Sequence, residues 1–193
     1  MRLAERRGMP TVYQPAEDSG LLAETAAERI GAGDDVLEVG VGSGYVAERV
    51  REETAATVVG CDVNPDACRA ARQRGIDVVR SNLLDAFVPR SFDVVLFNPP
   101  YLPTPEAMEW DDPLEDALSG GEDGRRLIRP FLEDVGRVLR PEGRVYLLVS
   151  SLTGLDAVRE LATEAGLTAR EVADEPFPYE RLVVYELLSS ISE

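Results

Sequence analysis

The chain has 193 residues, a formal net charge of -16 and 20 basic residues, every one of them an arginine. This length is enough for one domain with a sizeable core, and because no apolar run reaches about 18 residues we expect no membrane span. The absence of histidine excludes a histidine general base, and the two cysteines, Cys61 and Cys68, lack the spacing of a zinc site, so we predict no bound metal.

The acidic composition also bears on partners and habitat. A negatively charged surface repels phosphate backbones, so direct binding of nucleic acid is disfavoured unless a partner supplies a basic groove. Abundant carboxylates without lysine suit concentrated salt, where charges are strongly screened. We favour this halophilic interpretation for most of the charge, and it weakens the argument against nucleic acid without reversing it.

The N-terminal part of the chain predicts a flexible lead-in and then a helix. Residues 1–11 contain arginines but no long apolar segment, so they do not resemble a secretory signal, and we expect a cytoplasmic protein. The spacing of apolar residues predicts a helix from Ala16 to Ile30. Glu17, Asp18 and Ser19 lie in its first turn, where acidic and hydroxyl groups can satisfy free backbone donors. We expect one domain over residues 1–193.

A short apolar strand and a glycine-rich turn come next. The strand carries Glu38 near its end, and a helix is predicted from Tyr45 to Arg51. Three alternating glycines stand between them, at Gly40, Gly42 and Gly44. Glycines let the backbone turn tightly and approach a ligand closely. The acidic side chain would repel a pyrophosphate, so the turn favours a cationic or neutral ligand over a dinucleotide.

The second strand, Val58–Asp62, also ends in a carboxylate, which at this place in a parallel sheet can bind both hydroxyls of a ribose. A helix is predicted over Pro65–Arg74, followed by a third strand, Ile76–Arg80. Helix capping or loop solvation would be the structural alternative for Glu38 and Asp62. Their positions beside the glycines favour ligand binding instead.

The fourth strand, Phe92–Phe97, is an apolar run typical of a strand that is covered on both faces. It ends at a polar amide, two prolines and an aromatic ring: Asn98, Pro99, Pro100 and Tyr101. Proline biases the residue before it to extended geometry, so the amide of Asn98 is expected to project past the carboxyl end of the strand. Taken alone, this segment could be a rigid turn, and the tyrosine could be packing.

The C-terminal half predicts further alternation of helix and strand after a loop from Leu102 to Gly124. The expected elements are a helix at Arg125–Leu139, a strand at Arg144–Ser150, a helix at Leu155–Ala165, and strands at Leu167–Asp174 and Arg181–Leu188. The short link between the last two strands favours antiparallel pairing. The pattern therefore predicts an α/β fold, a mostly parallel sheet with helices on both faces.

Together these motifs resemble those of class I S-adenosylmethionine-dependent methyltransferases that methylate amino groups. Two more segments are similar to the archaeal and eukaryotic release-factor glutamine methyltransferases: Val12-Tyr13-Gln14-Pro15-Ala16-Glu17-Asp18-Ser19 and Ser119-Gly120-Gly121-Glu122-Asp123-Gly124-Arg125. The resemblance runs from about Val12 to the C-terminus. It implies a Rossmann-like fold of seven strands with the last strand antiparallel.

The resemblance also implies a cofactor site for S-adenosylmethionine and its product S-adenosylhomocysteine. It assigns to this site Ser19, Glu38, Gly40, Gly42, Gly44, Asp62, Asn82, Leu83 and Asn98. Glu38 would bind the methionine ammonium, directly or through water, and Asp62 would bind the ribose. The family usually has an aspartate where Asn82 stands, facing the adenine amino group; asparagine keeps an acceptor but loses the charge. Leu83 could pack against adenine or fill the core.

For catalysis, we hypothesise that a planar amide of the substrate is held by two acceptors. The side-chain oxygen of Asn98 would accept one N–H and the backbone carbonyl of Pro99 the other, while Pro100 keeps both rigid. Tyr101 would stack on the amide or exclude water. No strong base is required, because the nitrogen becomes acidic once it is methylated.

The resemblance implies that the substrate is the glutamine of a Gly-Gly-Gln motif in a translation termination factor. It also implies a heterodimer with a small zinc-binding activator subunit. The third strand, Ile76–Arg80, lies at the sheet edge in this fold, where it could pair with that partner. Methylation of an adenine or guanine amino group, methylation of a protein lysine, and a catalytically silent binding module are the alternatives.

Overall fold

The computed structural model describes residue 12, residues 17–104 and residues 119–189 of the chain. Its elements, in order, are α1 (Glu17–Ala27), β1 (Asp35–Val39), α2 (Tyr45–Thr54), β2 (Thr57–Asp62), α3 (Pro65–Gln73), β3 (Asp77–Arg80), β4 (Phe92–Phe97), α4 (Ile128–Val138), β5 (Leu139–Ser150), α5 (Leu155–Glu164), β6 (Leu167–Pro176) and β7 (Arg181–Ser189). The predicted lead-in at residues 1–11 and the segment from Tyr13 to Ala16 lie outside the described residues.

The seven strands form one sheet in the order β3-β2-β1-β4-β5-β7-β6. The pairs from β3 to β5 are parallel, whereas β7 runs antiparallel to both of its neighbours. This confirms the predicted mostly parallel sheet with an antiparallel last strand, and it places β3 at one edge. Among the described helices, none is long and apolar enough to cross a membrane.

Side chains that alternate along the central strands build a core on each face of the sheet. On one face, Val36 and Leu96 pack with residues of α1, α2 and α3, such as Leu22 and Val50. On the other face, Phe97 packs with α4 and α5, and its ring centroid lies 4.5 Å from that of Phe131. Helices therefore cover both faces, as the alternation of elements predicted.

Several predicted boundaries shift for identifiable reasons. The helix expected from Arg125 begins only at Ile128, because the preceding residues form a turn in which the Arg126 N–H donates to the Gly120 carbonyl. The strand expected from Arg144 begins at Leu139, which already pairs with Phe92 before a register shift. Only β4 has the bounds that the sequence predicted.

Candidate active site

A cavity of about 370 Å³ opens at the carboxyl ends of β1, β2 and β4. In open α/β sheets this edge is where ligands bind, because the strands diverge there and the connecting loops leave a crevice. The cavity is lined by most of the residues that the sequence motifs singled out: Ser19, Glu38, Gly40, Gly42, Asp62, Asn82, Leu83, Asn98 and Pro100. The topology thus brings together side chains from five separate segments of the chain.

The glycine-rich turn joins β1 to α2 in a left-handed conformation. Gly40, Gly42 and Gly44 have φ angles of 67°, 51° and 82°, a region that L side chains rarely adopt. Gly44 has a second constraint, because a Cβ there would lie 2.8 Å from the Cα of Ala71 in α3. Gly44 therefore lets two helices approach each other and does not line the cavity, whereas Gly40 and Gly42 do; its direct contact with a cofactor stays a prediction.

The carboxylate of Glu38 is buried between β1 and the first turn of α2. Its Oε2 accepts a hydrogen bond from the backbone N–H of Ala47 at 2.8 Å, and the residue is only 4% exposed. Burial and, to a smaller extent, the charge of Asp62 raise the pKa of Glu38 to about 8, against the opposing effect of the Ala47 bond. Glu38 thus caps the helix and still lines the cavity, where a cationic ligand would favour its ionised form.

Asp62 holds the glycine-rich turn in place from the end of β2. Its two carboxylate oxygens accept backbone N–H groups of Gly42 at 3.0 Å and Asn64 at 2.8 Å. Burial raises the pKa of Asp62, and these backbone bonds counteract the rise. Each oxygen has a second lone pair, so the side chain can still accept bonds from a ligand.

Asn82 and Leu83 form the wall of the cavity beyond β3. The Nδ2 of Asn82 donates to Asp85 Oδ2 at 3.4 Å, which leaves the amide oxygen of Asn82 as an acceptor for a ligand amino group. Leu83 both lines the cavity and packs against the core on the α4 face, while its packing against an adenine ring stays a prediction.

Asn98 is anchored on a carboxylate that the sequence had placed only in a helix turn. Its Nδ2 donates to Asp18 Oδ2 at 3.1 Å, and the Tyr101 hydroxyl donates to the same oxygen at 3.4 Å. The other oxygen, Asp18 Oδ1, accepts from the Ser19 N–H at 2.6 Å. Within residues 17–104 and 119–189, no group donates to the buried Oδ1 of Asn98.

Tyr101 packs against the core on the α1 face and does not line the cavity. Stacking of its ring on a substrate amide therefore stays a prediction, as does the role of the Pro99 carbonyl. The glycine-rich segment from Gly120 to Gly124 lies against the backbone of Tyr101, since a Cβ on Gly124 would lie 2.6 Å from the Tyr101 carbonyl oxygen. Gly120 adds a hydrogen bond from its N–H to the Leu102 carbonyl at 2.8 Å.

The structure adds cavity residues that the motifs did not mark for binding. They are Val12, Ser43, Tyr45, Asn64, Arg80, Ser81 and Leu127, among others. Asn64 had a signal of its own, since Asn-Pro predicts a helix cap, and its Oδ1 does accept the Asp66 N–H at 2.9 Å. Arg80 is the last residue of β3 and brings a cation to the cavity, which no local pattern indicates.

Comparison with known proteins places these residues in a methyltransferase setting. A family model described as a methyltransferase domain matches residues 36–114. A candidate protein N5-glutamine methyltransferase of Methanocaldococcus jannaschii is 37% identical over 185 residues, which cover 91% of this chain and 90% of that protein. A release factor glutamine methyltransferase of Gloeobacter violaceus is 31% identical over 192 residues, covering 91% of this chain and 67% of that protein.

Among solved structures, the Mtq2–Trm112 complex of E. cuniculi, responsible for methylation of the termination factor eRF1, matches with a TM-score of 0.77. The sequences are 30% identical, and the match covers 94% of this chain and 100% of the matched chain.

Proposed function

The chain belongs to the protein N5-glutamine methyltransferase family, and from that premise we propose that it transfers a methyl group from S-adenosylmethionine to the side-chain amide nitrogen of a protein glutamine. The observation that carries this proposal is the buried Oδ1 of Asn98, to which no group in the described part of the chain donates a hydrogen bond. A buried acceptor without a donor costs free energy, and an N–H of a substrate amide would remove that cost. The acceptor lies next to a cavity suited to a cationic cofactor.

In this proposal, two carboxylates of the chain bind different parts of the cofactor. Glu38 is placed to bind an ammonium, because ionisation of its buried carboxyl becomes favourable beside a positive charge. Asp62 would accept hydrogen bonds from ribose hydroxyls with the lone pairs that Gly42 and Asn64 leave. The oxygen of Asn82 would accept from the adenine amino group, while Ser19 closes the methionine end. S-adenosylmethionine supplies an electrophilic methyl group on its sulfonium.

The catalytic task is to make a poor nucleophile react. The lone pair of an amide nitrogen is delocalised into its carbonyl. Hydrogen bonds from both N–H groups to fixed acceptors increase the electron density on the nitrogen and orient its lone pair toward the methyl group. Asn98 Oδ1 and the Pro99 carbonyl are those acceptors, and the rigid backbone at Pro100 fixes them before substrate binds. As the bond from nitrogen to the methyl carbon forms, the bond from that carbon to the sulfonium sulfur would break, and S-adenosylhomocysteine would be the leaving group. The positive charge would pass to the nitrogen, whose acidic proton is then lost to water.

The substrate that we propose is the glutamine of the Gly-Gly-Gln motif in a translation termination factor, as the related E. cuniculi complex methylates such a factor. Mass spectrometry of the factor after incubation with enzyme and S-adenosylmethionine tests this. The expected product is one methyl group on the glutamine of that motif. Methylation of a lysine, or of adenine in added nucleic acid with none on glutamine, would contradict the proposal.

We also propose that the chain works as a heterodimer with a small zinc-binding activator subunit bound at β3. Among the described strands, β2 is the one that pairs with β3, and Val79 on β3 is 39% exposed. An open edge strand is a template for pairing with another chain. In co-expression with the activator, wild-type protein should copurify with it. Val79→Arg should not copurify, whereas a charge at the distant exposed Leu152 (Leu152→Arg) should leave the complex intact.

We further propose that the protein works in the cytoplasm of a halophilic cell. A net charge of -16 without a single lysine fits a cytoplasm rich in salt, in which repulsion among surface carboxylates is screened.

A further inference from the structure

We propose that Asp18 is a positioning residue for methyl transfer: its carboxylate decides which end of the Asn98 amide is offered to the substrate. The inference rests on the proposed function and goes beyond it, because Asp18 does not itself touch the reacting atoms. It follows from three features, namely the chemistry of the Asp18–Asn98 contact, the way in which Asp18 is held, and the Asn98 oxygen that receives no hydrogen bond from the residues described above.

The contact has only one chemically sensible orientation. A carboxylate accepts hydrogen bonds and donates none, so the NH2 of Asn98 must face Asp18, as the 3.1 Å distance from Nδ2 to Asp18 Oδ2 shows. Rotation of the amide by half a turn keeps its shape but sets oxygen against oxygen. That rotation would also turn the NH2 group of Asn98 toward the substrate NH2, donor against donor. The carboxylate therefore keeps the acceptor Oδ1 available.

Asp18 is itself held firmly enough for this task. It is 4% exposed, and Oδ1 accepts from both the N–H and the hydroxyl of Ser19, at 2.6 Å and 3.3 Å. Oδ2 accepts from Asn98 and, at 3.4 Å, from the Tyr101 hydroxyl. A buried carboxylate persists only with such donors, and the first turn of α1 favours negative charge as well.

The same bond strengthens the acceptor. Donation from Nδ2 to an anion polarises the amide and shifts electron density toward Oδ1, because hydrogen bonds in series reinforce one another. Asn98 Oδ1 then accepts more strongly from a substrate N–H on which positive charge develops. Tyr101, which does not line the cavity, gains a role through its bond to Asp18: it limits the movement of the carboxylate.

A purely structural role, as a helix-turn residue of α1, predicts loss of stability but no specific loss of turnover. The first experiment is therefore Asp18→Asn, whose side chain can present either NH2 or oxygen to Asn98 and so no longer selects an orientation. We expect kcat on the termination factor to fall about 10-fold to 100-fold, in the range typical of residues that orient a functional group through one contact. The KM for the factor, S-adenosylhomocysteine affinity and thermal midpoint should change little.

The matched control is Glu17→Gln, which removes the same charge from the same helix turn at an exposed position. This variant should keep wild-type kcat. If Asp18→Asn also keeps it, the inference is overturned while the proposed function stands, because wild-type turnover on glutamine in the same assay tests the latter separately.

A charge swap gives the sharpest test of positioning. Asn98→Asp alone sets two carboxylates against each other with no donor between them, so its kcat should fall well below that of the wild type. Combining Asn98→Asp with Asp18→Asn restores one donor facing one carboxylate, with a free oxygen for the substrate. The double variant should be more active than Asn98→Asp at neutral pH; a double variant that folds, binds S-adenosylhomocysteine and shows no gain contradicts the inference.

One readout requires no substrate. In the wild-type protein, nuclear magnetic resonance of the Asn98 side-chain amide should show slow hydrogen exchange for the Nδ2 proton that is hydrogen-bonded to Asp18. Exchange of this amide at the rate of an exposed asparagine would overturn the inference whether or not glutamine is methylated.

Discussion

The backbone N–H of Ala47 donates to the carboxylate of Glu38 at 2.8 Å, which joins the end of β1 to the first turn of α2. This single bond is the only one within the described residues that stabilises the ionised form of Glu38, and burial outweighs it. The same carboxyl lines the cavity. The cofactor ammonium would therefore meet a group that is mostly protonated at neutral pH.

The first prediction is that cofactor binding releases a proton from Glu38. The pKa of Glu38 is about 8 in the protein alone, and a bound ammonium would lower it, so the affinity for S-adenosylhomocysteine should rise as pH increases toward about 8 and then level off. Calorimetry at neutral pH in buffers with different heats of ionisation measures the released proton.

Glu38→Gln is the control, since a carboxamide oxygen can still accept the Ala47 bond. It should bind more weakly than the wild type, with no dependence on pH in this range. It should also remove a pH effect on stability: the raised pKa of Glu38 favours folding below its ordinary value of 4.5, and this contribution is lost as pH rises through about 8. Wild-type affinity that is flat across this range would contradict the assignment.

The second prediction concerns Asp62. Replacement by asparagine removes the charge that a ribose hydroxyl would meet, and hydrogen bonds to charged groups contribute about 1.5–3 kcal/mol. We expect Asp62→Asn to weaken S-adenosylhomocysteine binding by about 10-fold to 100-fold in calorimetry. Asp77→Asn, on the exposed first residue of β3, should bind as the wild type does; equal affinities for all three proteins would count against the ribose site.

The third prediction tests the support behind Tyr101. Gly124 has a φ of 74°, and a Cβ there would lie 2.6 Å from the Tyr101 carbonyl oxygen, so Gly124→Ala must both strain the backbone and displace the backbone at Tyr101. We expect a loss of about 1–3 kcal/mol in unfolding free energy and reduced kcat, with cofactor affinity retained. Gly136→Ala, where a Cβ meets nothing within 4 Å in a helix, should stabilise the protein slightly. A fully active Gly124→Ala variant would show that Tyr101 needs no such support.

The fourth prediction follows from the charge. With a net charge of -16, folding brings carboxylates close together, and their repulsion opposes folding. Salt weakens this repulsion, because the Debye length falls from about 10 Å at 0.1 M to about 3 Å at 1 M. The thermal midpoint should rise steadily as potassium chloride is increased over this range. A midpoint that stays constant or falls would indicate that the acidic surface is not an adaptation to salt.

Local sequence patterns were sufficient to predict the fold, because the order of strands and helices depends on apolar runs and on the turn residues that bound them. The apolar run before Asn98 is bounded by prolines, and β4 has the predicted bounds. The predicted bounds were wrong where nonlocal contacts decide them. Leu139 belongs to β5 because it pairs with Phe92, and α4 begins later than predicted because the preceding residues form a turn that is closed at Gly120.

The candidate site was predictable where one residue type marks a strand end, as for Glu38 and Asp62, both of which line the cavity. It was not predictable where a role arises from a contact between distant segments. Asp18 and Asn98 are 80 residues apart, and Asp18 taken alone indicates only a favourable charge in a helix turn. The cation that Arg80 brings to the cavity likewise depends on how β3 docks against β2.

The most direct test of the account is the turnover of Asn98→Ala on the termination factor, with S-adenosylhomocysteine affinity measured on the same preparation. Loss of a fixed acceptor for the reacting NH2 should lower kcat by about 100-fold to 1,000-fold, while the cofactor still binds. A variant that binds the cofactor and methylates the glutamine at the wild-type rate would contradict the central claim that Asn98 holds the substrate amide for methyl transfer.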